Sequence, residues 1–325
     1  MRENRFMILG ILSMIAAAAV LVAAFLIPTN QTETQPPERR IAVLIPQSNA
    51  DYWQQVIHGI NQETDDTMSV QVTQVSQTDT EEQRLRFEMA VAADVDGIIA
   101  HLSDDTMAEE MLDKAEDAGI PVVLVGSDIP SREACSYVGC DHYETGQMAA
   151  KLLHEATRGN ASIAIISGLE NQNSQKQKIQ GFQDAVRAWP QMEVICVEYS
   201  GMDSVQAAQT TQTLLKAYPE INVFVGITAP DLEGILKTIE AKLNSDAYHL
   251  IGFDDSASTI SGIRRGLVTV SIIEEPFEMG RQAVLQLVKN MEEAQPVRWI
   301  QTELFELSKN TLSEYETWIQ ERHYE

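Results

Sequence analysis

Ile251-Gly252-Phe253-Asp254-Asp255, followed by Ser271-Ile272-Ile273-Glu274-Glu275-Pro276, decides the fold. Each stretch reads as a buried strand that ends in a carboxylate, and the second is closed by a proline that forces the chain to turn. In an α/β chain, acidic groups at the carboxyl ends of strands sit where ligands are held rather than where cores are packed. Asp254 also precedes a helix start near Ser256 and can serve as its cap. Glu274, taken alone, reads equally well as a solvated strand end.

Working outward, short apolar runs alternate with helical patterns. Ile41 to Ile45 is continuously apolar, the mark of a parallel strand covered on both faces. Trp53, Val56, Ile57 and Ile60 recur at helical spacing. Val70, Val72 and Val75 mark a second strand. Leu85, Met89 and Ala92 then mark the apolar face of a helix opening after Thr78-Asp79, with Glu81 and Glu82 in its first turn. The alternation continues through strands Gly97 to Ala100 and Val122 to Val125, with a helix from Asp104 to Ala118 between them. It restarts beyond Cys140 with strands Ile163 to Ile166, Val194 to Val197, Val223 to Val225 and Leu250 to Phe253. Helices begin near Asn173, Asp203 and Thr228. Repeated βαβ units imply parallel sheets covered by helices. One sheet of this many strands would be unusually wide, so the pattern predicts two lobes of about five or six strands each, breaking near Tyr137 to Asp141. The cleft between them is a natural small-molecule site.

The 325 residues carry 23 basic and 48 acidic side chains, a formal net charge of -25. That balance leaves no basic face to displace counterions from nucleic acid, and it disfavours an anionic lipid surface. Cys135 and Cys140 flank a short strand, which puts their Cα atoms roughly 16 Å apart, beyond disulfide reach. Cys196 lies in an apolar run as a small core residue. With no zinc-like Cys spacing and no His-Glu-x-x-His, neither a disulfide nor a metal site is expected. No cofactor is implied, and no nucleophile elbow or phosphate-cradling loop supports catalysis.

Met7 to Ile27 is apolar apart from Ser13 and follows Arg2 and Arg5. A helix of that length spans a bilayer, and the preceding arginines keep the amino end cytoplasmic, so residues 1–28 read as an uncleaved anchor. A cleavable signal peptide is the alternative. Residues 29–40, polar and proline-bearing, form a tether. The globular part is then extracytoplasmic, or secreted if the segment is cut.

Several of these residues carry a family resemblance. Asn49-Ala50-Asp51-Tyr52-Trp53 with Gly59, Asp96-Gly97-Ile98-Ile99, Ala118-Gly119-Ile120-Pro121, Tyr137-Val138-Gly139-Cys140-Asp141 with Gly146, Gly181-Phe182, Gly252-Phe253-Asp254-Asp255, and Glu274-Glu275-Pro276 with Met279-Gly280 stand in sequence. In this order and spacing the chain, from Ile41 to about Leu307, resembles the type I extracytoplasmic sugar-binding proteins, the ribose- and galactose-binding class with a lac-repressor-like core. The resemblance implies two Rossmann-like lobes joined by three crossovers, near Gly139 to Asp141, Glu274 to Pro276 and Gln301 to Leu304. Residues 41–140 with 276–302 would form the N-terminal lobe, and 141–275 with 303–325 the C-terminal lobe. It also implies capture of a small polar, sugar-like ligand for an ABC-type importer or, alternatively, ligand sensing beside a membrane histidine kinase or chemoreceptor.

Carried over by position, Tyr52 and Trp53 match the aromatic pair that stacks on a sugar, and Asp254 matches the carboxylate that takes hydroxyl hydrogen bonds. Elsewhere the chain departs from the family. Ala50 replaces an amide, Gly126-Ser127 an acid–arginine pair with Asp128 following, Lys178 an arginine, Ile227 an asparagine and Glu274 a glutamine. The implied ligand set is Tyr52, Trp53, Asp254, Glu274, Lys178, Asp128, Thr228 and His101. With fewer amide arms and more bare charge, it suits a modified, aminated or smaller polar ligand, or a degenerate site, better than ribose.

Overall fold

Continuous apolar runs bounded by turns become two six-stranded sheets of the same topology. The computed structural model describes residues 39–47, 51–129, 131, 135–293 and 297–322; from Arg39 onward the chain clusters as one unit. The anchor and nearly all of the tether expected at the amino end lie outside the described residues. Among the described residues no helix is long and apolar enough to cross a membrane.

The first sheet takes β1 (Arg39–Pro46), β2 (Met68–Val75), β3 (Gly97–Ala100), β4 (Val122–Val125) and β5 (Ser136–Gly139), completed by β11 (Trp299–Gln301). Its order is β11-β5-β4-β3-β1-β2, parallel throughout. The second takes β6 (Ala161–Ser167), β7 (Met192–Tyr199), β8 (Val223–Gly226), β9 (His249–Gly252) and β10 (Val270–Glu274), with β12 (Leu304–Ser308). Its order is β12-β10-β9-β8-β6-β7, and only the β10–β12 pair is antiparallel. In both sheets the strand order reverses between the first strand and the third. Ligands of open α/β sheets bind outside the carboxyl ends at that point.

The helices are α1 (Asp51–Glu63), α2 (Thr80–Ala92), α3 (Asp105–Asp117), α4 (His142–Thr157), α5 (Asn173–Val186), α6 (Ser204–Ala217), α7 (Ala229–Glu240), α8 (Ala257–Arg265), α9 (Pro276–Glu292) and α10 (Leu312–Arg322). Several are stopped at their N-termini by side chains: Asp79, Asp104, Asp141, Asp203 and Ser256 each accept a backbone N–H of the first turn.

The face of α2 differs from the expectation. Leu85 and Met89 are half exposed, and Ala92 is also exposed. The helix instead buries Gln83 and Phe87. Gln83 decides this rotation, because its amide Nε2 donates to the Ser76 carbonyl and the Ser103 hydroxyl, each at 2.9 Å, while its Oε1 accepts from Ser103 N. The apolar spacing at Leu85, Met89 and Ala92 is coincidental.

The chain passes between the sheets at 139–142, 274–276 and 301–304, and the three segments are laced together. Thr302 N donates to the Gly139 carbonyl, and Glu303 N donates to Glu275 Oε2.

In each lobe a pair of helices is in close contact through reciprocal glycines. A Cβ on Gly59 of α1 would stand 2.0 Å from the Phe277 carbonyl oxygen of α9, and one on Gly280 of α9 would stand 2.1 Å from that of Val56. In the other lobe, a Cβ on Gly146 of α4 would meet the Lys178 carbonyl oxygen of α5 at 2.0 Å, and one on Gly181 would meet that of Tyr143 at 2.0 Å. The obstacle is backbone in every case, so the helices must move apart to admit a methyl. We therefore expect Gly59→Ala and Gly146→Ala each to cost about 1–3 kcal/mol in urea unfolding, the usual penalty for overpacking. Because the two contacts are in different lobes, the double variant should show additive losses.

Candidate functional site

The carboxyl ends of both sheets face a cavity of about 480 Å³. One wall comes from the first lobe: Tyr52 and Trp53 in the first turn of α1, His101 just past β3, and Gly126 just past β4. Gly126 has φ +69°, a left-handed conformation that favours glycine, and the His101 ring, the Trp53 ring and the Tyr52 hydroxyl surround it. The opposite wall brings Lys178 from α5, Ile227 and Thr228 after β8, Phe253 and Asp254 after β9, and Glu274 at the end of β10.

Glu274 is the hub. Its Oε1 accepts from Lys178 Nζ at 2.7 Å and its Oε2 from the Tyr52 hydroxyl at 2.8 Å, with His142 Nδ1 3.9 Å from Oε1. Burial alone would raise the carboxyl pKa, but the neighbouring Lys178 charge and these hydrogen bonds hold it well below the usual carboxylate range. Lys178 is buried too. Desolvation pulls its pKa down, but the Glu274 charge and hydrogen bond, with the other acidic groups nearby, together keep the ammonium above its ordinary pKa. The same ammonium lies 5.2 Å from the centre of the Phe253 ring. Cys140, His142 and Glu274 also offer three donor atoms within 4.8 Å of one another. Lys178 already supplies the positive charge a metal would bring to that oxygen. Cys135 and Cys140 are buried free thiols, and Cys196 is a partly buried one.

Two buried histidines stand behind the cavity. His101 Nδ1 lies 2.9 Å from the Val125 carbonyl, which can only accept, so Nδ1 carries the proton and Nε2 accepts from the Gln172 amide at 2.9 Å. Its ring meets Trp53 edge-on at 4.7 Å. His142 Nε2 donates toward the Gly126 carbonyl and the Tyr137 hydroxyl, leaving Nδ1 to accept from Cys140 Sγ at 3.3 Å. Burial lowers both imidazoles to about 4, and for His142 the Lys178 charge acts in the same direction.

Asp254 is held on one side only. Its Oδ1 accepts from Ser256 N and from the Thr259 hydroxyl, each at 2.8 Å. Its Oδ2 is buried and has no partner among the described residues. Burial raises its pKa against those two hydrogen bonds, and the neighbouring Asp255 charge adds to the rise.

The structure thus brings seven of the eight residues expected from sequence to one cavity: Tyr52, Trp53, His101, Lys178, Thr228, Asp254 and Glu274. Asp128 is a correction. It lies off the cavity, where Arg298 Nη2 reaches both carboxylate oxygens at 2.7 and 2.9 Å and the Asn173 amide donates to its carbonyl. Arg298, far along the chain, gave no sequence signal of this pairing. The solvated reading of Glu274 also gives way, because it forms a buried pair with Lys178. Thr228 caps α7 through Asp231, so its hydroxyl is already committed. Sequence reasoning missed Gln172, Ser174 and Gln175, which line the cavity at the start of α5. The signal available was the run of amides there, Gln172, Asn173 and Gln175, at a helix start that faces the cleft.

Residues 41–295 match the model of the periplasmic binding protein domain. The chain belongs to the periplasmic binding protein family. Among its relatives, the ribose import binding protein RbsB of Escherichia coli (strain K12) is 19% identical over 82% of this chain and 89% of its own length. RbsB of Bacillus subtilis (strain 168) is 21% identical over 64% and 67%. The solved structure of GanP, a glucose-galactose binding protein from Geobacillus stearothermophilus, is 30% identical, with TM-score 0.78 over 84% of this chain and 98% of that one. A solute binding protein from Burkholderia graminis, in complex with D-arabinose, aligns at TM-score 0.81 over 86% and 99% with 22% identity, a likeness of fold.

In this binding protein, polar contacts cross between the lobes beside the cavity. Gln172 meets His101, Asn173 N donates to Asp105 Oδ1 at 3.1 Å, and Lys176 pairs with Asp105. The lobes stand closed on one another.

The buried pair and the histidines give two predictions. Lys178→Met strands Glu274 as an uncompensated buried charge and should cost about 3–5 kcal/mol in denaturant unfolding. Adding Glu274→Gln should recover much of that loss. Both histidines titrate near 6.5 when unfolded and about 4 when folded. Stability is therefore full above 6.5 and is lost as pH falls toward about 4, because the unfolded chain takes up protons that the folded one refuses. Unfolding followed across that window should show the loss, and His101→Gln should remove roughly half of the slope, since it leaves one of the two imidazoles.

Proposed function

We propose that the protein is an extracytoplasmic solute-binding protein. It captures a small polar, sugar-like ligand between its lobes and presents the closed form to an ABC-type importer. One observation carries this reading: a single cavity has an aromatic wall, Tyr52 and Trp53, on one lobe and the half-satisfied Asp254 carboxylate on the other. Rings suit the apolar face of a sugar, and the carboxylate suits its hydroxyls. The relatives support it by name, as import binding proteins for ribose and for D-apiose. Residues 41–140 with 276–302 and 141–275 with 303–325 act as the two closing bodies, and the three laced segments act as the hinge.

A second reading is favoured by the apolar run Met7 to Ile27. As an uncleaved anchor it would hold the protein beside a membrane histidine kinase or chemoreceptor, and the same closure would then serve as a signal. In either role the partner is a membrane protein that reads the closed form.

The test is a thermal-shift titration against pentoses, hexoses and polyols together with their amino derivatives. A ligand at a hundred times its Kd adds about 2.7 kcal/mol, which for a chain of this size raises Tm by roughly 5–10 °C. Trp53→Ala and Asp254→Ala should each abolish that shift while the apo protein still melts cooperatively. A broad panel without any shift would refute the binding role.

A further inference from the structure

The cavity's charges are unevenly met, and this points to the class of ligand. Among the described residues that line it, Lys178 is the only cation, facing the carboxylates of Glu274, Asp254 and the exposed Glu233. Lys178 is committed to Glu274. The two histidines behind the wall are held neutral by burial. Asp254 therefore has no paired cation among the described residues, and its burial penalises the carboxylate until a cationic donor meets it. Its Oδ1 accepts from Ser256 and Thr259, and Oδ2 is a buried acceptor with no donor among the described residues. Deeper in the same lobe, Asp231 adds another acidic group, already committed to Ser200 and Thr228. Trp53 and Phe253 line the same cavity, and aromatic rings attract a cation as readily as a sugar's C–H groups.

A neutral sugar would give Asp254 a hydroxyl donor but leave the negative excess in place. An acidic sugar would worsen it. A ligand bearing an ammonium answers both needs, because it brings the missing charge and a donor in one group.

We propose that the captured ligand is an aminated polyol, an amino sugar or close relative, whose ammonium donates to Asp254 Oδ2 while its carbon skeleton lies against the aromatic wall. This inference rests on the solute-binding reading above and narrows its ligand class. No bond is made or broken, and the protonated amine is bound and released as such. Lys178 sets the other limit of the site: by neutralising Glu274 it confines the free negative charge to the Asp254 side, so the ammonium has one place to bind.

The test is isothermal titration of the full chain with D-glucosamine, D-galactosamine, D-mannosamine and glucamine. Each is run beside its neutral parent and, for the hexosamines, its N-acetyl derivative. At least one amine should bind about 10- to 100-fold more tightly than its parent, the gain typical of a charge-assisted hydrogen bond. N-acetylation, which removes the charge from an unaltered protein, should erase that advantage. Asp254→Asn, checked for an unchanged melting transition, should bring amine and parent within a few-fold of each other. Neutral parents binding as tightly as the amines would overturn the ammonium assignment and leave sugar binding standing. If amines and neutral compounds all fail to bind, both readings fall together.

Discussion

The arrangement of the site depends on one buried carboxylate. Glu274 ends β10, where the chain leaves the second sheet for α9, and an ionised group at that depth must be met by charge and hydrogen bonds or it will not stay ionised. Lys178 meets it from α5 at 2.7 Å and Tyr52 from α1 at 2.8 Å. Lys178 and Glu274 belong to the same lobe, so their pairing organises that wall by itself. Tyr52 comes from the other lobe, so its hydrogen bond ties the two walls together beside the crossover at 274–276. One acid therefore both fixes a wall and links it to its opposite. The demand to satisfy it explains why a lysine on a helix rich in amides is turned inward.

The reciprocal glycines give a second constraint, and they explain part of the sequence pattern. Gly59 with Gly280 and Gly146 with Gly181 sit where helix backbones approach too closely for a Cβ. The contact of α4 with α5 is also what carries Lys178 toward Glu274, since the carbonyl that Gly146 approaches is that of Lys178 itself. In this way a packing requirement on a helix face positions a charge in the cavity. Gly59, Gly181 and Gly280 share their helices with residues close to the cleft, so a methyl at any of these glycines would shift an element that lines it or supports it.

Much of the fold was legible because a strand buried on both faces leaves a nearly unbroken apolar run, as in β3, β4 and β8, whose residues are all buried. Helix starts were legible where aspartates cap them. The helix α2 was misread because periodicity weighs apolar residues only. There a buried glutamine, satisfied by Ser76 and Ser103, sets the rotation instead. At the site, residues at strand ends could be located because topology places strand ends. Pairings could not. Nothing in the local sequence says that Lys178 meets Glu274 rather than solvent, or that Arg298 takes Asp128 away from the cavity. Such choices are made across 96 and 170 positions of chain, by the cost of leaving a charge unpaired.

That cost also decides how closure can work. The contacts between the lobes fall into two kinds. Asp105 with Lys176 and Asn173 lies at a wetter margin, where exposed ion pairs contribute little. His101 with Gln172 and Tyr52 with Glu274 are deeper, where a lost partner matters more. Opening the lobes would return the margin groups to water at small cost, but it would leave Glu274 short of one donor and His101 short of another. Those deficits are modest, since Lys178 stays with Glu274 and water can replace Tyr52 and Gln172. The two forms are thus separated by a small free energy, which a ligand can overcome only by touching both walls at once. Trp53 and Asp254 stand on opposite lobes around the same cavity, so a molecule spanning from the rings to the carboxylate gains its full contacts only when the cleft is shut.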